Sequence, residues 1–198
     1  MVIIYIISIF QSIVWLLPIF KQWKSPGYKN YFLILGLQDG IVILCYLLFG
    51  IGSFNQYVVW AAILLISFLP FFNTTKRVAL LMLISLPFMA LTHYLPYKTA
   101  NLIILIQYSF VFLILMRKFV TYFTNNHIIL LFHSALIFYM FANVLKLFIL
   151  LIDVKAGLTY YMITTFIQIF FGIYFITDSD QRPRFILYSP DTELNKTS

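Results

Sequence analysis

Asp39 is the only acidic residue in the first 150 positions of this 198-residue chain, and it stands inside an apolar run, Tyr31 to Ile51, that reads YFLILGLQDGIVILCYLLFGI. An ionised carboxylate at the centre of a bilayer costs ~2.5–3.5 kcal/mol or more, so Asp39 must face protein, water or a partner, or carry a proton. Gln38 is its neighbour, and Gln11, Gln107 and Gln168 fall near the middle of three other apolar runs. Two uses fit such a set. The amides can hold helices together, at ~0.6 kcal/mol per interhelical hydrogen bond on average, or, lying at one depth beside a carboxylate, they can line a small polar cavity.

A second group lies on one helical stripe. Tyr139, Asn143, Lys146 and Asp153 are spaced by four, three and seven, which puts them on one face. Lys146 can snorkel to the interface on its long stem or act as counter-ion to Asp39. Their depths differ by roughly 12 Å at a rise of ~1.5 Å per residue, so a direct pair needs helix tilt or intervening water. His133 lies roughly 7 Å from the Asp39 level toward the opposite side, as a proton acceptor, a pH-sensing group or a hydrogen-bonded packing residue.

Other chemistries have less to stand on. His93, His127 and His133 show no H-x-x-x-H spacing, and His93 belongs to the other side of the membrane, so neither a metal cluster nor a bis-histidine haem is expected. The last helix holds no lysine for a retinal Schiff base, and there is no phosphate loop, no G-x-S-x-G and no inward carboxylate cluster. The expectation is a protein with no catalytic residues, cofactor or metal. The single Cys45 excludes an internal disulfide.

Helices have to position these groups. The chain is 63% hydrophobic, 20% aromatic and only 10% charged, with a mean hydropathy of +0.97; a soluble domain would carry roughly 25% charged residues. The runs lack the alternation of barrel strands and read as spanning helices. In order they are Val2–Phe20, Tyr31–Ile51, Tyr57–Phe72, Val78–Leu95, Thr99–Met116, His127–Ile152 and Leu158–Thr177. Pro70 suggests a kink or early termination near the end of the third. Gly36 and Gly40 form a G-x-x-x-G spacing that lets a neighbouring backbone approach the second.

Charge sets the direction of threading. With the N-terminus outside, the inner segments collect Lys21, Lys24, Lys29, Lys76, Arg77, Arg117, Lys118, Arg182, Arg184 and Lys196, and the outer turns only Lys98 and Lys155. That asymmetry is the positive-inside pattern. It also makes the net charge of +7 a matter of orientation and anionic lipid rather than nucleic acid. The first run has basic residues after it rather than before it, so no cleaved signal peptide is expected. The expected fold is an all-α integral membrane protein, a bundle of seven transmembrane helices over residues 1–177, with its N-terminus outside and a short cytoplasmic tail over 178–198. A bacterial inner membrane is the expected location.

The segments QSIVWLLPIFKQWK and YKNYFLIL near the start, and LIFYMFANVLKLFIL in the sixth run, resemble small stand-alone seven-helix membrane proteins of the Bacteroidota type. Their plan is similar to that of the seven-helix sensor modules of some histidine kinases. The resemblance is one of pattern over most of the chain, and it transfers no functional residue. That family carries no assigned activity, and the leading expectation for this chain is a non-enzymatic sensor or interaction module that binds an apolar ligand or partner helices. Without a kinase domain after Asp178, such a module signals through another protein. A small transporter or channel component using Asp39 and the midplane glutamines is the alternative, and a structural subunit of a larger membrane complex a third. The partners expected are the bilayer and a protein in the membrane or at the tail, where Phe185 to Tyr188 forms a short apolar patch suited to adding a strand or filling a groove.

Overall fold

A computed structural model describes residues 2–23, 26–50, 53–72, 74–152, 158–178 and 184–186. Helices dominate it: α1 (Val2–Leu16) continued by the short α2 (Pro18–Lys21), α3 (Pro26–Phe49), α4 (Ser53–Ser67), α5 (Thr75–Leu91), α6 (Tyr97–Asn126), α7 (Leu131–Leu151) and α8 (Leu158–Thr177). Segments Tyr28–Leu48, Thr75–Tyr94, Tyr97–Asn126 and Leu131–Leu151 are long and apolar enough to cross a membrane. The chain is therefore a multi-pass membrane protein. Its outward surface agrees, with Phe20, Leu83, Phe138, Phe166 and Phe170 all largely exposed, a face that only lipid solvates well.

Local chemistry explains where helices start and stop. Pro18 has no N–H to give the preceding turn, and the first helix breaks at Leu17 and restarts with Pro18 in its first turn. Pro26 likewise opens α3, five residues before the apolar run begins. Pro70 ends the regular helix of α4, and Pro70–Phe72 forms one 3₁₀ turn, as the sequence suggested. The end of α6 departs from expectation. The fading of hydropathy predicts an end at Met116, yet the helix runs on through RKFVTYFTNN, which contains neither glycine nor proline to stop it. It ends at His127, whose backbone is left-handed (φ 52°) and whose N–H closes on the Phe123 carbonyl at 2.8 Å. The next three residues, Ile128–Leu130, are a strand (β1) rather than the start of the sixth helix.

The helices form a closed ring in which α1 packs on α3, α3 on α4, α4 on α6, α6 on α7, α7 on α8 and α8 on α1; α5 lies outside it against α4 and α3. Tight approach at α1 makes the closure possible. A Cβ on Gly36 would stand 2.6 Å from the Leu16 side chain and 2.9 Å from its backbone nitrogen, and one on Gly172 of α8 would meet Val14 at 2.5 Å. Gly40 is different: the nearest atom to such a Cβ is Ser12 Oγ at 3.9 Å. Of the G-x-x-x-G pair only Gly36 is a close-packing position.

Two ends can be told apart. At one, Gln22 Nε2 donates to the Asp178 carbonyl (3.2 Å), the Tyr28 hydroxyl pairs with His133 Nε2, and β1 pairs antiparallel with β2 (Arg184–Ile186). Here the tail strand is added to the chain's own α6–α7 connection, while the remainder of the apolar patch and residues 187–198 lie outside the described residues. At this ribbon end Lys29, Arg77 and Lys118 each stand over an aromatic ring, those of Trp23, Phe71 and Phe68, at 3.1, 4.4 and 4.8 Å. At the other end Asn55 Nδ2 donates to the Leu95 carbonyl at 2.8 Å.

Candidate functional site

The ring encloses a chamber of about 260 Å³ to which every one of its six helices contributes. Gln11 comes from α1, Gln38 and Asp39 from α3, Tyr57 from α4, Tyr97, Ile104 and Tyr108 from α6. Helix α7 adds Tyr139, Asn143, Lys146, Leu147 and Leu150, and α8 adds Thr165 and Gln168. Tyr57, Tyr97 and Leu150 belong to the end opposite the ribbon, since α4 and α6 begin there and α7 ends there. Gln11, Asp39 and Gln168 sit about halfway along their helices, so the chamber occupies the half of the bundle away from the ribbon.

Its floor is aromatic. Trp15, 1% exposed, lies 4.4 Å from the Tyr139 ring, 6.0 Å from Phe32 and 5.9 Å from Phe175. Phe132 packs edge-on to both Phe32 (6.2 Å) and Phe175 (5.2 Å). Rings from α1, α3, α7 and α8 thus fill the space between chamber and ribbon end, a packing that combines large buried area with favourable edge-to-face geometry.

The polar groups are connected. Tyr57 donates its hydroxyl to Asp39 Oδ1 at 2.7 Å, joining α4 to α3. Gln11 Nε2 donates to Gln168 Oε1 (3.0 Å), Gln168 Nε2 to Asn143 Oδ1 (3.0 Å), and Asn143 Nδ2 to the Tyr139 carbonyl (2.9 Å). This is a continuous amide chain across α1, α8 and α7, each link polarising the next. Asp39 and Lys146 line the same chamber and act on one another electrostatically. The hydroxyl donor satisfies part of the hydrogen bonding that a carboxyl group buried at this depth requires.

Six of the eight polar residues singled out in the sequence meet here: Gln11, Gln38, Asp39, Asn143, Lys146 and Gln168. Gln107 and His133 do not line the chamber. Ile104 and Tyr108 line it from α6, and Gln107 between them does not; its Oε1 is buried with no hydrogen-bond partner among the described residues. His133 belongs to the ribbon end, among Tyr28, Tyr122 and Phe132. Asp153, the last residue of the predicted stripe, lies outside the described residues. Tyr57, Tyr97, Tyr108 and Thr165 were not foreseen as lining groups. A signal for two of them existed, because Tyr97, Asn101, Ile104, Tyr108, Val111 and Leu115 repeat every three or four residues, the interior stripe of a helix.

Compared with family models, with curated proteins and with solved structures, the chain finds no match in any of the three. What the site does has to be argued from its geometry.

Proposed function

We propose that this protein is a membrane-embedded sensor of seven spans, N-terminus outside and C-terminus in the cytoplasm of a bacterial cell, that binds a small amphiphilic ligand in the chamber and signals through a protein partner. The observation that carries this reading is a 260 Å³ space bounded by six helices and holding a carboxylate, an ammonium and connected amides. A packing core would fill such a space with apolar side chains. A ligand site combines a concave, largely apolar wall with a few placed polar groups.

The spans beyond the four long ones are α1 with α2, α4 with its 3₁₀ turn, and α8, whose apolar segments include Ile9–Lys21, Asn55–Ser67 and Ile163–Thr177. The orientation rests on the basic residues of the inner turns, and Lys29, Arg77 and Lys118 over their rings at one end are consistent with an anionic interface there. On this orientation the chamber faces outward and the ribbon inward. The aromatic packing of Trp15, Phe32, Phe132 and Phe175 beyond the chamber favours a sensor over a channel.

Native mass spectrometry of the full chain purified in mild detergent tests the reading. The expected result is a small-molecule adduct that Leu150→Trp, which fills the mouth, removes without lowering the yield of folded protein. Identical adducts on both proteins would remove the chamber from the argument.

A further inference from the structure

The α7–α8 seam borders one side of the chamber. A second void, about 20 Å³, lies in it, bounded by Ala142, Thr164 and Ile167 together with Tyr139, Asn143, Lys146 and Gln168. Those last four also line the chamber. The two spaces are therefore two sides of one thin wall, and the hydrogen bond from Gln168 to Asn143 crosses it. Rotating one amide side chain would join them. On the outer side of the seam Phe138, one turn from Ala142 on α7, and Phe170, one turn from Ile167 on α8, are exposed, an apolar surface against which a hydrocarbon chain can lie.

Inside, one acidic and one basic side chain, Asp39 and Lys146, line the chamber. Asp39 is flanked by the Tyr57 hydroxyl, Lys146 lies at the seam, and Tyr57, Tyr97, Tyr108 and Tyr139 share the walls. A carboxylate among tyrosines suits an organic ammonium, which gains from both the charge and the ring quadrupoles; an ammonium at the seam suits a phosphate or carboxylate. A cavity of about 150 Å³ takes a benzene, so 260 Å³ takes a group of roughly ten heavy atoms by the same scale. We propose that the chamber receives the zwitterionic headgroup of a single-chain amphiphile, its ammonium toward Asp39 and the tyrosines and its anionic group toward Lys146, with the hydrocarbon chain leaving through the α7–α8 seam. This rests on the reading of the chamber as a ligand site and names the class of ligand. A free water-soluble zwitterion shares the headgroup chemistry, and the seam is what assigns the lipid source.

The test uses the full chain in nanodiscs of phosphatidylglycerol and three probes: lysophosphatidylcholine, lysophosphatidylglycerol and glycerophosphocholine. Lysophosphatidylcholine should bind about tenfold or more tighter than either of the others, since one lacks the ammonium and the other the chain. Asp39→Asn should erase the preference between the two lysolipids. Tyr57→Phe, which keeps the carboxylate, should reduce that preference and guards against a fold defect in the first variant. In a Cys45→Ser background, bridging Asn143→Cys and Gln168→Cys with a short thiol cross-linker should block lysophosphatidylcholine. Equal binding of the two lysolipids overturns the zwitterion. Glycerophosphocholine binding as tightly as lysophosphatidylcholine, or unimpeded binding after cross-linking, overturns the lipid source and the seam. If such binding is nonetheless lost in Leu150→Trp, the chamber remains a ligand site while this proposal falls. Binding indifferent to Leu150→Trp removes both.

Discussion

Gly36 and Gly40 occupy the same sequence motif and the same helix, yet alanine at the two positions is expected to behave differently. The new methyl at position 36 would sit 2.6 Å from Leu16 Cγ and Cδ2 and 2.9 Å from the Leu16 backbone nitrogen. A side chain can rotate away, but the nitrogen moves only if α1 moves, and α1 is held on its other flank where Gly172 meets Val14. Overpacking of this kind costs ~1–3 kcal/mol. The usual gain of ~1 kcal/mol for replacing a helical glycine by alanine offsets little of it, because a separated helix in the bilayer stays helical. Gly36→Ala should thus lose ~2 kcal/mol, or about 4–8 °C of melting temperature for a chain of this size. Gly40→Ala, with nothing nearer than Ser12 Oγ at 3.9 Å, should lie within ~0.5 kcal/mol of the parent. Reversible unfolding in mixed micelles, with both variants measured at one lipid composition, gives the comparison. A Gly40→Ala variant as destabilised as Gly36→Ala would refute the assignment of the α1–α3 contact to Gly36 alone.

Other outcomes follow from the same geometry. Gln168→Leu breaks two links of the amide chain at once and should cost ~1–2 kcal/mol of stability in mixed micelles, while Gln107→Leu, whose Oε1 has no partner among the described residues, should be neutral or stabilising by the same assay. In a Cys45→Ser background, an impermeant maleimide should label cysteine at Ser53 in intact cells and leave one at Ser179 untouched; strong labelling at 179 would reverse the orientation. Deleting residues 184–198 should leave insertion intact but raise hydrogen exchange of the Ile128–Leu130 amides, which lose the β2 strand; unchanged protection there would mean that the tail does not pair with this segment in the membrane.

Much of the architecture could be read from composition, because lipid demands long apolar helices and the loops record their charge bias. Helix boundaries followed from chemistry only where a proline stood to enforce them. Pro70 stopped α4 as expected, but no residue between Arg117 and Asn126 forces a stop, and the fading of hydrophobicity after Met116 marked a change of solvent rather than the end of a helix. The polar candidates were visible because any polar group at depth is costly. Which of them converge was not visible, since that depends on the rotation of each helix about its axis. Gln107 and Tyr108 are adjacent in sequence, and only the ring order places Tyr108 in the chamber. Gly172 gave no signal as a lone glycine; its meaning lies in Val14 on another helix.

The length of α6 has a mechanical consequence. Its 30 residues make a rod of about 45 Å, with Tyr97, Ile104 and Tyr108 at the chamber and its last turns joined through His127 to the strand that carries the tail. A rod that pivots near its middle moves its two ends by equal and opposite amounts. On the proposed function, a ligand that tilts α6 at its first turns would move the ribbon without unwinding any helix between them. The aromatic floor closes the chamber to matter, while α6 passes beside it and leaves the way open to displacement.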